Sequence, residues 1–127
     1  MFRVIAGVVI GLAVWVAVIS LLDRSLRYGW HDYAAVYKAM TFTVPMMMAR
    51  LSESAVSSLI SGYVAALVAR GGWAPLVAGT ITLLFFIPVH YSIWSHFPIW
   101  YHLTFLTSLP VLSYLGGNLW SAKPATA

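Results

Sequence analysis

Three of the four histidines, His90, His96 and His102, recur at intervals of six residues, and histidine is the side chain that most often binds metal ions or haem. Six residues turn a helix by about 240°, so no two of the three share a helical face, and Pro98 interrupts the series. No carboxylate lies near them in the sequence to orient a metal ligand. We therefore predict no metal site and no other cofactor. Hydrogen bonding at the membrane interface is the favoured role, and a pH-sensitive contact and a metal or haem site are the alternatives.

Six charged or titratable residues form a second candidate, a polar or lipid-headgroup site. Arg50 and Glu53 are spaced as an i, i+3 pair, and a charge pair inside a membrane is a functional candidate by default. We expect them to cap a helix start as an interfacial ion pair, with a buried pair lining a polar site as the alternative. The others stand among aromatic residues and either hold a lipid phosphate or anionic ligand or act as solvated anchors. They are Arg24, Arg27, His31 and Lys38.

Small residues recur at helical spacing in two apolar segments. Such ridges let membrane helices approach closely, because helix association in lipid depends on packing and on interhelical hydrogen bonds. We predict helix packing along these faces, with a hydroxyl-lined solute pathway as the alternative. The predicted packing residues are Gly7, Gly11, Ser54, Ser58, Gly62 and Ala66.

The composition indicates which elements position these residues. Of the 127 residues, 61% are hydrophobic and only 8% are charged, and the mean hydropathy is +0.88. A water-soluble domain carries a charged fraction near a quarter, so this chain is predicted to lie in a lipid bilayer and to meet membrane lipids. Cysteine is absent, which excludes thiolate metal sites and cysteine nucleophiles. No basic run accompanies the net charge of +4, so we predict no nucleic-acid partner.

Hydrophobic runs predict an all-α fold, an integral membrane four-helix bundle that makes up a single transmembrane domain over residues 1–127. Arg70-Gly71-Gly72 is expected to end the second span. Residues 23–38 form the most polar stretch and are expected to be an interfacial loop that becomes a helical segment from Tyr33 onward, between spans 1 and 2. The apolar run at 39–49 lies on the surface, dips into the membrane or extends the next helix. The predicted spans are 4–22, 52–69, 73–94 and 98–120.

The orientation follows from the connection between spans 3 and 4. This connection carries no Lys or Arg but is rich in histidine, which suits the outer side of the membrane. Arg3, Arg70 and Lys123 would then lie in the cytoplasm together with both termini.

Nothing in the sequence matches the common enzyme signatures. It contains no phosphate-binding loop, no nucleophile elbow, no H-E-x-x-H and no carboxylate pair. We therefore expect no enzymatic activity. The expected function is that of an accessory or scaffold component, a homo-oligomer or a subunit of a larger membrane complex that associates through its small-residue faces. The main alternative is a small dimeric transporter or channel for a small solute or ion, and a third candidate is an enzyme that acts on lipid substrates.

Four motifs stand out in the second half of the chain: Gly62-Tyr63-Val64-Ala65-Ala66 with Ala69-Arg70, His96-Phe97-Pro98-Ile99-Trp100-Tyr101, Leu109-Pro110 and Leu115-Gly116-Gly117-Asn118-Leu119. They resemble motifs of small, uncharacterised four-span inner-membrane proteins of proteobacteria. That family carries a glycine-rich second span that ends in Ala and Arg, and a His-Pro-x-Trp turn before its last span. The resemblance covers about residues 59–119. It implies an inner-membrane location with cytoplasmic termini and brings no known activity or functional residues.

Overall fold

The computed structural model describes residues 1–121, and within that range the chain is helical and has no β-strand. The predicted all-α class is therefore confirmed. A 3₁₀ turn at Trp94–His96 separates the last two helices. The helices are α1 (Phe2–Gly29), α2 (His31–Val36), α3 (Val44–Ala69), α4 (Ala74–Ser92) and α5 (Ile99–Ser121).

Three helices, α1, α3 and α4, are long and apolar enough to cross a membrane. The prediction that the chain contains helices able to cross a membrane is therefore confirmed for these three, by their length and composition. Helix α5 was predicted as a fourth span, but among residues 1–121 it is not one of the helices that are long and apolar enough to cross. It contains no Asp, Glu, Lys or Arg, but its Thr, Ser, Tyr and Trp side chains lower its mean hydropathy.

Helix α3 starts earlier than the sequence predicted. It begins at Val44, with Pro45 in its first turn, instead of near residue 52. Proline is favoured there because the first turn leaves its backbone N–H groups unpaired in any case. The apolar run at 39–49 therefore extends the next helix from residue 44 onward. At the other end Arg70, in the left-handed conformation at φ 60°, and Gly71 at φ 96° end α3 where predicted.

Residues 23–38 are more helical than predicted. Residues 23–29 belong to α1, which continues to Gly29, and only Trp30 separates it from α2. The helical segment expected from Tyr33 begins two residues earlier, at His31. The interfacial loop prediction was wrong for residues 23–29, because polar residues at the end of an apolar helix can extend it by more than a turn.

The four long helices alternate in direction. Gly7 of α1 faces Ala69 and Trp15 bonds to Ser58, so α1 and α3 are antiparallel. In α5, Gly117 lies against Pro75 and His102 against His90, so α4 and α5 are antiparallel too. Helix α3 packs on α1, α4 and α5, and α1 also contacts α4. The C-terminal ends of α1 and α4 therefore meet the N-terminal ends of α3 and α5 beside α2, at a place we call the α2 end.

Close backbone contacts fill the half of the molecule away from α2, which we call the closed half. A Cβ atom on Gly62 of α3 would overlap the backbone of Ser113 in α5, and one on Gly116 would overlap the backbone of Leu59. In α1, a Cβ on Gly7 would lie 2.6 Å from the carbonyl oxygen of Ala65. Glycine is needed at these positions because the helices approach backbone to backbone.

Candidate functional site

A carboxylate at the end of α1 organises the α2 end. Asp23 accepts hydrogen bonds from the hydroxyls of Tyr33, at 2.9 Å, and Tyr37, at 3.0 Å. Arg27, one turn further along α1, places its Nε 3.1 Å from the same carboxylate as an ion pair. Tyr33 lies in α2, and Tyr37 directly follows α2 one helical turn later. Because both phenols bond to Asp23, they fix α2 against the end of α1.

Arg50 of α3 connects this cluster to α5. Its Nη1 donates to the Tyr33 hydroxyl oxygen at 2.9 Å, and its Nε donates to the Tyr101 hydroxyl at 3.1 Å. Its guanidinium carbon also lies 4.8 Å from the ring centre of Phe42 and 5.8 Å from that of Phe97, within range of a cation–π interaction. The Arg50 charge is therefore held by phenols and aromatic faces and is linked to Asp23 only through Tyr33.

The phenols that bond to Asp23 stay protonated. Burial raises the pKa of Tyr33 well above its ordinary value of 10, although the positive charge of Arg50 acts in the opposite direction. Burial also raises the pKa of Tyr37, and its hydrogen bond to Asp23 adds to that effect. Both hydroxyls therefore act as hydrogen-bond donors to the carboxylate and do not add negative charge to the cluster.

A cavity of about 250 Å³ lies beside the cluster. Glu53 borders it with a side chain only 9% exposed, and its Oε1 is buried without a hydrogen-bond partner among residues 1–121. The expected Arg50–Glu53 ion pair is not formed, because Arg50 points to Tyr33 and Tyr101 instead. The expected cap at a helix start is also wrong, since α3 begins several residues before Arg50. The cavity is lined by Trp15, Ile19, Ser20, Asp23, Tyr37, Arg50, Glu53, Phe86, Tyr101 and Phe105.

Two buried histidines form a second polar contact near the cavity. The Nδ1 atoms of His90 in α4 and His102 in α5 are 2.7 Å apart, and His102 Nε2 is 3.1 Å from the carbonyl oxygen of Trp94. A carbonyl only accepts, so Nε2 of His102 carries a proton, and in the neutral pair His90 Nδ1–H donates to His102 Nδ1. The His102 ring also stacks on Trp94, with centroids 4.4 Å apart. Among residues 1–121 no group of three or more His, Cys, Asp or Glu is placed to hold a metal ion.

The predicted polar residues separate into two groups in the structure. Arg27, Arg50 and Glu53 lie near Asp23 at the α2 end. Arg24, His31 and Lys38 are exposed. The exposed group suits solvated or headgroup-facing anchors, which was one of the two interpretations for these residues.

The predicted packing residues lie inside the molecule. Five of them face neighbouring helices: Gly7, Gly11, Ser58, Gly62 and Ala66 are all buried. Ser58 accepts a hydrogen bond from Trp15 Nε1 at 3.0 Å, and Ser61 donates to the Gly11 carbonyl at 2.7 Å. Ser54 is fully buried, and its hydroxyl has no hydrogen-bond partner in the part of the chain that the structure describes. These faces pack α3 against α1 and α5 within one chain.

Sequence reasoning missed Asp23, Tyr101 and the His90–His102 contact. Asp23 is one of only three acidic residues in the chain, which is a usable signal. Spacing within one helix does not reveal the histidine contact, because that contact crosses between antiparallel helices. No sequence signal placed Tyr101 beside Arg50.

The arrangement is suited to binding charged groups. Arg50 offers a positive charge and Glu53 a carboxylate, and both border one cavity with aromatic walls. Neither makes an ion pair among the residues that the structure describes. The described cavity shows no nucleophile paired with a base, which an acyl-transfer or covalent mechanism needs.

Comparisons with protein-family models, with curated proteins and with solved structures gave no match for this chain. The resemblance to small inner-membrane proteins therefore stays a prediction.

Proposed function

We propose that α1, α3, α4 and α5 form a four-helix bundle that spans the cell inner membrane. Three of these helices are apolar enough to cross on their own. Helix α5 is a fourth span in this proposal because it packs along α3 and α4 and carries no charged residue. The length of α5, 23 residues, corresponds to about 34 Å, which matches the hydrocarbon thickness.

Within this bundle, the proposed function is the non-enzymatic binding of a small charged solute in the cavity at the α2 end, as in a small transporter. The observation that supports this proposal most directly is the buried Oε1 of Glu53, which has no hydrogen-bond partner in the described part of the chain and borders the same cavity as Arg50. Buried charges are costly unless they are paired, so such an arrangement is typical of a site whose partner is a ligand. The closed half shows tight helix contacts, so this site is reached from the α2 end or from the side. Four short helices rarely enclose a pathway alone, and a homodimer is the proposed transporting unit.

The topology can be tested with cysteines, because the chain has none of its own. With both termini in the cytoplasm, a cysteine at His96 labels with an impermeant reagent added outside intact cells, and one at Gly71 does not. Both positions lie in connections between helices. Because Gly71 has a φ of 96°, its cysteine strains the end of α3, and Arg70→Cys, at a neighbouring exposed position that already carries a side chain, is labelled in parallel. Labelling at Gly71 alone would reverse the orientation, and labelling at both would contradict a bundle that crosses the bilayer.

Binding can be tested by blocking the cavity. Ser20 lines the cavity from α1 and is itself exposed, so Ser20→Phe fills the space with little effect on packing. Ser25→Phe, at an exposed position on the same helix, is the matched control. We expect small charged solutes to raise the melting temperature of the purified wild type and of Ser25→Phe, but not of Ser20→Phe. A panel of acids, amines and zwitterions that stabilises none of the three proteins would contradict the proposal.

A second candidate is an accessory or scaffold component of a larger membrane complex. Its small-residue faces are engaged within the chain, so a partner would meet the outward surface of α1, where Ile5, Val9 and Val16 are exposed. Copurification in mild detergent distinguishes the candidates, because a scaffold brings a stoichiometric protein partner. That partner should be lost in a variant with Val9→Arg.

A further inference from the structure

The polar cavity continues into an apolar groove. The groove has a volume of about 450 Å³ and runs between α1 and α4. Trp15, Ile19 and Phe86 line both spaces, so the two are adjacent. The groove is lined by Leu12, Trp15, Val16, Ile19, Ile81, Thr82, Phe85 and Phe86.

The groove opens to the outside of the helices. Val16 on α1 is 59% exposed, and Phe85 on α4 is 66% exposed. In a membrane-spanning bundle this surface meets acyl chains. A molecule in the groove can therefore enter from the bilayer without passing through water.

The charges of the cavity specify the other end of its occupant. Asp23 and Arg27 pair with each other, whereas Arg50 bonds only to neutral phenols and Glu53 Oε1 bonds to nothing in residues 1–121. An anion alone would leave Glu53 unpaired, and a cation alone would leave Arg50 unpaired. A zwitterion gives both a partner of opposite charge and keeps the site neutral, which is favoured where the dielectric constant is low.

The direction of the two spaces matches that of a lipid. Asp23 and Ser20 border the cavity near the end of α1, and Leu12 borders the groove eight residues before Ser20, about 12 Å deeper along the helix. A lipid in either leaflet has its headgroup at the interface and its chains pointing to the bilayer centre. A lipid bound here would keep that orientation.

We propose that the cavity and the groove form one site for a zwitterionic phospholipid with an ammonium-bearing headgroup, taken from the surrounding bilayer. The lipid ammonium lies against Glu53 and the aromatic walls, the phosphate lies against Arg50, and an acyl chain occupies the α1–α4 groove. This inference rests on the proposed function, because the charged group that it places in the cavity is the headgroup of the lipid.

The test is native mass spectrometry of the purified protein in detergent, titrated with phosphatidylethanolamine and with phosphatidylglycerol of the same acyl chains. Both lipids carry a phosphate, but only phosphatidylethanolamine carries the ammonium. We expect phosphatidylethanolamine to bind at least about tenfold more tightly, and Glu53→Gln to remove that preference. Asp32→Asn, which changes an exposed acid on α2, is the control and should leave the preference unchanged. Equal binding of the two lipids, or a preference that survives Glu53→Gln, overturns the inference.

Two further measurements separate this inference from the proposed function. Phe85→Ser, at an exposed position in the groove, should weaken phosphatidylethanolamine binding without changing the melting temperature by more than a few degrees. Glycerophosphoethanolamine, the headgroup without chains, should bind far more weakly than the lipid. If it binds as tightly as the lipid and Phe85→Ser has no effect, the lipid inference fails and solute binding stands. If neither lipid nor headgroup binds and no solute stabilises the protein, both fail.

Discussion

The two ends of the molecule are built from different kinds of contact. In the closed half, glycines and serines allow α1, α3, α4 and α5 to touch backbone to backbone, as Gly62 does with Ser113. At the α2 end, phenols and aromatic rings surround charges and leave a cavity beside Glu53. Close packing and the capacity to bind a ligand are therefore found at different ends of the same helices. The closed half fixes the arrangement of the helices. The α2 end has the space and the charges to receive a ligand.

The first prediction concerns the tightest contact of the closed half. Gly62→Leu should destabilise the protein by about 3 kcal/mol or more, at the upper end of overpacking costs, because its side chain would overlap backbone atoms of Ser113 that cannot move aside. Val64→Leu, two residues away and only partly buried, is the control and should cost much less. Thermal unfolding in detergent measures both. Similar melting temperatures for the two variants would mean that Gly62 does not pack against α5.

The second prediction concerns the carboxylate that organises the α2 end. Asp23→Asn should cost about 2 kcal/mol, because the amide cannot replace the charge-assisted bonds from Tyr33 and Tyr37 and loses the ion pair with Arg27. Asp32→Asn, at an exposed position on α2, should be neutral. If the two substitutions lowered the unfolding temperature equally, Asp23 would contribute no more to stability than a surface acid does, and it would not organise the α2 end.

The helices themselves were largely predictable, because long apolar runs flanked by polar residues and glycine determine where a helix lies in the chain. The start of α3 was not predictable, because Arg50 and Glu53 interrupt the apolar run and charged residues usually mark the beginning of such a helix. In the structure, both charges lie inside the helix. Arg50 contacts Tyr101 of α5 and Phe42 in the segment before α3, whereas Glu53 borders the cavity. A charge within a span is thus a sign of a tertiary partner as much as of a helix boundary.

The candidate site was only partly predictable. Arg50 and Glu53 were recognised as candidates from their charge in an apolar chain. Their partners come from elements distant in sequence, such as Tyr33 and Tyr101, and no spacing within one helix reveals them. The same limitation applied to His90, which meets His102 only because α4 and α5 are antiparallel.

The third prediction addresses the histidine contact, which lies at the α2 end but outside the cavity lining. His102→Phe keeps an aromatic ring on Trp94 but removes the hydrogen bonds to His90 and to the Trp94 carbonyl. We expect a loss of about 1 kcal/mol, typical of buried neutral hydrogen bonds whose partners stay behind. His96→Phe, in the exposed 3₁₀ turn, should have no measurable effect. A fall in stability for His96→Phe as large as that for His102→Phe would show that the buried pair has no special role.

The last prediction concerns two neighbouring acids whose replacement should change the free energy of unfolding in opposite directions, or not at all for Glu53. Glu53 and Asp23 both border the cavity, but within residues 1–121 Asp23 has three partners and the Oε1 of Glu53 has none. Glu53→Gln should therefore leave the stability of the ligand-free protein unchanged or raise it by up to about 1 kcal/mol, because an amide is cheaper to bury than an unpaired carboxylate. Asp23→Asn, the same chemical change at the neighbouring acid, should lower the stability.

Thermal unfolding of both variants after exhaustive delipidation measures this difference without contributions from bound lipid. If Glu53→Gln lowers the melting temperature as much as Asp23→Asn does, Glu53 has a structural partner within the folded chain. Every charge at the α2 end would then have a partner within the chain, and the α2 end would be as fully packed as the closed half. No unpaired charge would remain there to bind a ligand.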